Sequence, residues 1–332
     1  MPAAADAPPN DTPVLSIVIV NWNTRDLLLS LLGRLFPTPM PCEVIVVDND
    51  SKDGSADAAA AAFPQAIVLR QPKNGGFAYG VNRGLQHARG RWVLLFNTDA
   101  EAPWSEFEAF LAAAERCPDA AVFGPRITDE HGRTQQSAWR RTLPRHAVRE
   151  AIVPGGTAKG PQPTAASDVD VVSGCVFLIR GSVLRELGGL DERFWMYFEE
   201  ADFCDRVRAS GRTVRWLPDA TFVHAGGLSA NLAVERTFLA YIESRILYHA
   251  AWHGRLATEW VRAWLLFGHL LRLGGWTVKA LLGKPNRAKL YRKAVAMLAR
   301  PGLVAAACRR PREVPNLRDV SAARTSSPQP AP

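Results

Sequence analysis

The sequence predicts an α/β fold with a mostly parallel sheet that continues into a second half and then into a helical C-terminal appendage. Three observations lead there. Apolar, β-branched runs recur about every 25 residues through the first 125, with helical stretches between them. Each run ends in polar residues, as strands do at the ligand-binding carboxyl edge of a parallel sheet. Basic charge is confined to the C-terminal quarter. Residues 254–318 hold 14 Lys and Arg against 2 Asp and Glu, a balance of +12, whereas residues 1–253 balance at −4.

In chain order, "VLSIVIVN" (14–21) is a strand and "RDLLLSLLGRL" a helix. "EVIVVD" (43–48), "AIVLR" (66–70) and "RWVLLF" (91–96) are further strands. "DGSADAAAAAF" and "GFAYGVNRGLQHA" are the helices between them. Runs apolar on both faces suit a sheet covered on both sides. No sequence repeat accompanies the spacing, so this is topology and not a solenoid. After "AAVFGPRI" the pattern becomes irregular. Residues 150–168, rich in Pro, Gly, Ala and Thr, are expected to form a mobile loop. "VDVVSGCVFLIR" (169–180) reads as a strand pair or one long strand. A helix carrying "EEADFCDRVRAS" follows, then the short strand "TVRWL" and "PDATFVHAGG", and helices from Ala233 onward.

The 332-residue chain is 47% hydrophobic and 22% charged, enough for a substantial core. Five scattered cysteines without a CxxC pair argue against a disulfide framework or zinc site and for a reducing compartment. The N-terminus lacks the basic start and apolar core of a secretory signal. A mildly acidic body excludes general nucleic-acid binding, while a basic tail suggests an appendage that binds a surface. Within 257–283 the longest uncharged run lies between Arg262 and Arg272. A spanning helix needs about 20 apolar residues. Trp260, Trp264 and Trp276 alternate with Arg262, Arg272 and Lys279, the pattern of a helix lying in a membrane interface. An amphipathic helix packed on the body or on a second subunit fits the same pattern.

Candidate site residues fall at the strand ends: Asn21 and Asn23, then Asp48, Asn49 and Asp50, then "KNGGFAYGVNRG", then Asn97-Thr98-Asp99. Any one of these alone suits a turn or a helix cap. Clusters after four successive strands make a crevice. Gly75 and Gly76 before a helix allow backbone N–H groups to approach a diphosphate. The chain has neither a Walker A sequence nor a GxGxxG fingerprint after its first strand.

"SIVIVNWN", "VIVVDNDSKDGS", "NGGFAYGVNRGL", "LLFNTDAE" and "FEEADFCDRVRASG", in this order, resemble the signatures of family 2 glycosyltransferases, and more narrowly a bacterial rhamnosyltransferase-like branch. The similarity covers roughly residues 14 to 230. It implies the GT-A fold, a Rossmann-like nucleotide-binding sheet continued into an acceptor-binding half. Residues 1–12 then form a flexible leader and 13–232 the transferase domain, with a nucleotide-sugar half (13–125) and an acceptor half (126–232). Residues 233–318 form the basic helical tail, and 319–332 are expected to be disordered.

The resemblance also implies roles. Asp48 would pair with the N3 edge of uracil or thymine, near Val20, Asn21, Asn23 and Asn49. Gly75, Gly76 and Asn82 would lie along the ribose and diphosphate. Asn97-Thr98-Asp99 stands where the family has its DxD motif, so Asp99 and Asn97 would hold a Mg²⁺ or Mn²⁺ ion. Asn97 in place of the first acid supplies an oxygen ligand without charge. His224 resembles a histidine that some members place on the same metal, although a lone histidine is also an ordinary structural residue.

Glu200 occupies the position of the catalytic base, usually Asp, with Glu199 beside it. Acids in the first turn of a helix are also favoured by its dipole alone. Trp195 and Tyr197 would stack on the acceptor sugar, with Ser173 and Gly174 nearby. The implied reaction is an inverting sugar transfer from a dTDP- or UDP-sugar, with dTDP-rhamnose favoured. The implied acceptor is a glycan on a polyprenyl-diphosphate lipid at the cytoplasmic face of the plasma membrane. Two rivals remain. A sugar-1-phosphate nucleotidyltransferase should carry a Gly-rich basic loop where "NWNTRD" has no glycine. A catalytically silent nucleotide-sugar-binding scaffold draws support from Asn97 and Glu200.

Overall fold

The computed structural model describes residues 12–153, 160–226, 233–282 and 287–317. The four β-branched runs form β1 (Leu15–Asn21), β2 (Cys42–Asp48), β3 (Ile67–Arg70) and β4 (Trp92–Phe96). They lie in the order β3-β2-β1-β4, all parallel, with Asn21 beside Asp48 in register. Alternate side chains enter different cores, as the two-residue period of a strand requires. Ile17, Ile19, Val44 and Val46 pack against helices α1 (Arg25–Leu35) and α2 (Ser55–Ala62). Val18, Ile45 and Val47 pack against α3 (Phe77–Leu85) on the opposite face.

After β4 come β5 (Ala100–Glu101), α4 (Trp104–Glu115) and β6 (Ala120–Thr128), then β7 (Thr134–Gln135) and β8 (Ala138–Trp139). The loop expected at 150–168 is shorter. Residues 150–152 belong to α5 (His146–Ile152), and β9 (Ser167–Val169) begins before 168. The middle of the expected loop, 154–159, lies outside the described residues, as do 1–11 of the expected leader and all of 319–332.

The stretch 169–180 is neither a hairpin nor one strand. It splits between β10 (Val171–Val172), which pairs β8, and β11 (Val176–Arg180), which runs antiparallel between β4 and β6. The insertion of β11 turns the second half of the sheet mixed. It also sets residues 173–175 against the end of β4, where the Asn97 amide donates to the Cys175 carbonyl (3.0 Å). Helices α6 (Gly181–Leu187) and α7 (Glu199–Ala209) lead into β12 (Thr213–His224), one long bulged strand where two segments were expected. It runs parallel to β6 and ends beside β5, with His224 opposite Ala100.

The C-terminal region is woven into the body. Helix α8 (Val234–Leu281) is broken at Gly254 (φ 77°), and its first part buries Ile242, Ile246, Leu247 and Tyr248 in the main core. Its second part packs on α9 (Ala288–Leu298) and α10 (Leu303–Arg309), leaving Leu256, Leu270, Leu271 and Leu281 exposed. Residues 310–317 then return as a strap across the segment before α7. The Gly189 and Glu192 amides donate to the Pro315 and Glu313 carbonyls (3.1 and 3.0 Å), and Arg193 donates to the Arg310 carbonyl (2.6 Å). No helix among the described residues is long and apolar enough to cross a membrane.

Candidate active site

A cavity of about 420 Å³ opens at the carboxyl ends of β1, β2 and β4 and extends to the N-terminal part of α8. Its end beside β1 and β2 is lined by Val20, Trp22, Asn49 and Gly76. Asn21, Asn23 and Asp48 lie behind this wall and stitch the loops after β1 and β2 together. The Asn21 amide donates to Asp48 (3.0 Å) and to Ser51 (3.1 Å), Ser51 N–H donates to Asp48 (2.9 Å), and Lys52 N–H donates to Asn23 (2.7 Å). Asn23 and Asp50 both have positive φ, so the two turns are tight as well as cross-bonded. Asp48 is 4% exposed, and the structure shows its carboxylate serving this framework. Asn49 faces the cavity. Its amide N–H holds the Gly76 carbonyl (2.9 Å), and its buried Oδ1 has no protein donor. Trp22 is a lining residue the sequence did not single out.

Of the three residues expected along the diphosphate, Asn82 and Gly75 lie off the cavity. Asn82 is fully buried away from the cavity. Its amide donates to the Leu190 carbonyl (2.8 Å) and to Glu192 (3.0 Å), and accepts from the Leu190 amide (2.8 Å). It thus tethers α3 to the segment before α7. Gly75 is not a lining residue and packs under Tyr79. Gly76 does reach the cavity, but the start of α3 is already occupied. Phe77 N–H donates to the Trp195 carbonyl (2.7 Å) and Gly76 N–H to the Asn74 side chain (3.0 Å). Gly76 is obligatory on steric grounds, because φ is +98° and a Cβ there would lie 2.1 Å from the Trp195 oxygen.

Asn97, Thr98 and Asp99 all line the cavity floor. Thr98 Oγ1 is 3.3 Å from Thr24 Oγ1, which in turn donates to Asn21 (2.7 Å), linking this turn to the first-strand framework. The end of β12 carries His224 to Asp99, with Nε2 3.3 Å from Oδ1. The Asp99 carbonyl accepts from Ala225 N–H (3.0 Å), which pins the pair.

The tautomer of His224 follows from Gln135, on β7. The Gln135 amide nitrogen donates to the His224 carbonyl (2.7 Å), so its oxygen is the atom that faces Nδ1 (3.3 Å). Nδ1 then carries a proton toward that oxygen. Nε2 faces the Asp99 carboxylate, buried and without a hydrogen-bond partner. A cation held between a neutral Nε2 and the Asp99 carboxylate would satisfy both atoms. His224 Nε2, Asp99 and the neutral oxygen of Asn97 therefore fit a divalent metal as a nitrogen–oxygen donor set. They form no cluster of three His, Cys, Asp or Glu among the described residues. Diphosphate oxygens would have to complete the shell.

Opposite this floor, Glu199 and Glu200 open α7 and both line the cavity. Tyr197 and Phe198 before them both have φ +69°, a left-handed corner that non-glycine residues adopt only at a cost. Phe198 is held in it by packing on Tyr241 and Tyr248 (centroids 5.6 and 5.3 Å). Burial pushes the Glu199 carboxyl well above the ordinary range, and the adjacent Glu200 charge raises it further.

Asp202 and Asp205 point away from the cavity. Asp202 accepts from Arg206 (3.0 Å), Trp252 (2.9 Å) and Arg312. Asp205 accepts from Tyr248 (2.6 Å) and Arg208 (3.0 Å). Trp195, Tyr197, Ser173 and Gly174 all line the cavity, joined by Ala233, Thr237 and Tyr241 of the C-terminal region. Cys175 lines the floor, but burial pushes its thiol up to about 11, which removes it as a nucleophile at neutral pH.

The family model described as Glycosyl transferase family 2 matches residues 16–188. Proteins of Mycobacterium tuberculosis strains CDC 1551 / Oshkosh and ATCC 25618 / H37Rv, each named N-acetylglucosaminyl-diphospho-decaprenol L-rhamnosyltransferase, are 30% identical over 305 residues. The match spans 84% of this chain and 97% of theirs. The low-salt glycan biosynthesis hexosyltransferase Agl10 of Haloferax volcanii is 27% identical over 207 residues, 58% of this chain and 61% of that protein. A crystal structure of GalNAc-T7 with UDP, GalNAc and Mn²⁺ superposes with a TM-score of 0.50 at 16% identity. It covers 73% of this chain and 51% of the other, a likeness of fold alone.

Proposed function

This chain belongs to glycosyl transferase family 2, with the GT-A fold, and from that premise we propose that it transfers rhamnose from dTDP-rhamnose, with inversion, to a hydroxyl of a glycan carried on a lipid diphosphate. The observation that carries the transfer is the opposition, across one cavity, of the Asp99–His224 pair and the Glu199–Glu200 pair. The donor and the lipid-linked acceptor are supported by the match of the mycobacterial rhamnosyltransferases along nearly their whole length. UDP-sugars remain the alternative donor.

Asp99, His224 and Asn97 would hold Mg²⁺ or Mn²⁺, which when bound offsets the charge of the departing nucleoside diphosphate. Val20, Trp22 and Asn49 receive the nucleoside, positioned by the Asn21–Asp48–Ser51 framework. Glu200 accepts the proton from the acceptor hydroxyl as that oxygen attacks the anomeric carbon from the face opposite the leaving group. The raised Glu199 carboxyl beside it favours Glu200 as the base of the pair. Tyr197 and Trp195 hold the acceptor sugar.

We read residues 13–232 as the transferase domain, with the helical region and its strap closing the acceptor end. The exposed Leu256, Trp260, Leu270, Leu271 and Leu281, among arginines and lysines, fit peripheral binding at the inner face of the plasma membrane.

Glu200→Gln tests the mechanism. It should lower kcat by roughly 10²–10⁴ while dTDP binding with Mn²⁺ stays unchanged. Transfer at the wild-type rate by a folded variant would remove Glu200 from its role. Titration of dTDP, UDP and GDP, each with and without Mn²⁺, tests the donor. Metal-dependent binding of dTDP is the expected result, and binding of GDP alone would refute it.

A further inference from the structure

We propose that Arg236, held over the Trp195 ring, is a diphosphate-binding cation at the rim of the cavity. The cavity is lined by the carboxyl side chains of Asp99, Glu150, Glu199 and Glu200, and by no lysine or arginine among the described residues. A ligand bearing a diphosphate needs positive charge from the rim.

Arg236 stands in the first turn of α8, one residue before the lining Thr237. Its guanidinium lies 3.9 Å from the centroid of the Trp195 ring. Among the described residues Arg236 makes no ion pair and no hydrogen bond from its side chain; its contact is with the Trp195 ring. The other arginine at this end, Arg245, is buried on Glu150.

The surface beneath Arg236 is fixed. The Trp195 carbonyl is bonded to Phe77 N–H and its ring abuts Gly76. Stacking on that ring orients a planar guanidinium, whose fork matches phosphate oxygens. The Trp195 indole N–H is buried without a partner at the same wall and offers a second donor. A diphosphate reaches this rim from two sources, the nucleotide donor or the linker of a lipid-borne acceptor, and the assignment of the second rests on the transferase reading above.

Arg236 is exposed, so Arg236→Gln and Arg236→Lys should fold, which thermal melting verifies. The first arm measures dTDP binding by calorimetry. The second measures KM for a glycan on a polyprenyl diphosphate against the same glycan on a neutral alkyl chain. Arg236→Gln is expected to weaken one diphosphate ligand about 10-fold, with Arg236→Lys intermediate and the neutral acceptor unaffected. Loss confined to dTDP assigns the cation to the donor; loss confined to the diphosphate acceptor assigns it to the acceptor. Unchanged values in both arms, or an equal loss with the neutral acceptor, overturn the proposal. A wild-type chain that neither binds dTDP nor transfers overturns the transferase reading, and the assignment falls with it.

Discussion

Replacing Gln135 with leucine should weaken Mn²⁺ binding without touching any proposed ligand. Gln135 contributes two bonds to His224, one to its carbonyl (2.7 Å) and one at Nδ1 (3.3 Å). Loss of the acceptor at Nδ1 frees the imidazole to take either tautomer. One hydrogen bond of bias is worth about 1 kcal/mol, or a factor of about 5 in the population with its Nε2 lone pair facing Asp99. Freedom of the ring adds to this, and groups that orient a metal-binding histidine commonly contribute 10- to 100-fold in affinity. Titration of Mn²⁺ by electron paramagnetic resonance, in the presence of dTDP, should therefore show a Kd raised by about 10-fold or more. Gln135→Glu separates this role from a merely structural one. Its carboxylate still accepts from Nδ1 but cannot donate to the His224 carbonyl, so it should keep metal affinity while losing about 1–3 kcal/mol of stability. Equal Mn²⁺ affinity in wild type and Gln135→Leu, with His224→Ala impaired, would refute the tautomer argument.

Gly76→Ala places a Cβ against the Trp195 carbonyl at positive φ. It should cost about 1–3 kcal/mol in urea unfolding and depress kcat as the corner shifts; unchanged stability would contradict the close approach. His249 is fully buried, and burial, with Arg245, lowers it to about 2. Between that value and its unfolded value near 6.5 the unfolded chain binds the extra proton, so stability present above pH 6.5 is lost as pH falls. Moving from pH 7 to 5 should cost about 2 kcal/mol through this residue alone. His249→Gln should flatten that slope, and identical slopes would refute the assignment. Leu270→Glu with Leu271→Glu should abolish co-sedimentation with anionic liposomes while transfer to a soluble acceptor persists; undiminished sedimentation would end the membrane reading.

The parallel half of the fold was legible because its strands are buried on both faces and so appear as unbroken apolar runs. The second half was not. An apolar run such as "VFLIR" does not say which strands it will pair with, and β11 goes antiparallel between β4 and β6. Within the site, Asp99, His224, Glu199 and Glu200 were readable from their motifs, and the structure gathers all four around one cavity. Asn82 sat in an equally good motif yet is consumed holding Leu190 and Glu192. A short motif shows that a polar residue matters, and only packing shows whether it faces ligand or chain. Gln135 and Arg236 carried no local signal at all. Gln135 reaches His224 because β7 and β12 both border β6, and Arg236 reaches Trp195 because α8 folds back over the acceptor end.

The same folding-back changes what the basic tail is. Read along the chain, residues 233–318 are separable from the acidic body, and removing them suggests itself as a way to ask about lipid. In space, Ala233, Thr237 and Tyr241 form a wall of the cavity, and Trp252 and Arg312 both bond Asp202 two residues after Glu200. The strap 310–317 adds backbone bonds to Gly189 and Glu192, on the segment that leads to the left-handed corner at Tyr197 and Phe198. That corner is costly and persists only where surrounding packing over-determines it. Truncation would therefore release the corner and misplace Glu200, and loss of activity would say nothing about membranes. The exposed residues of α8 beyond Gly254 touch none of this machinery, which is why surface substitutions, and not deletion, separate lipid contact from catalysis.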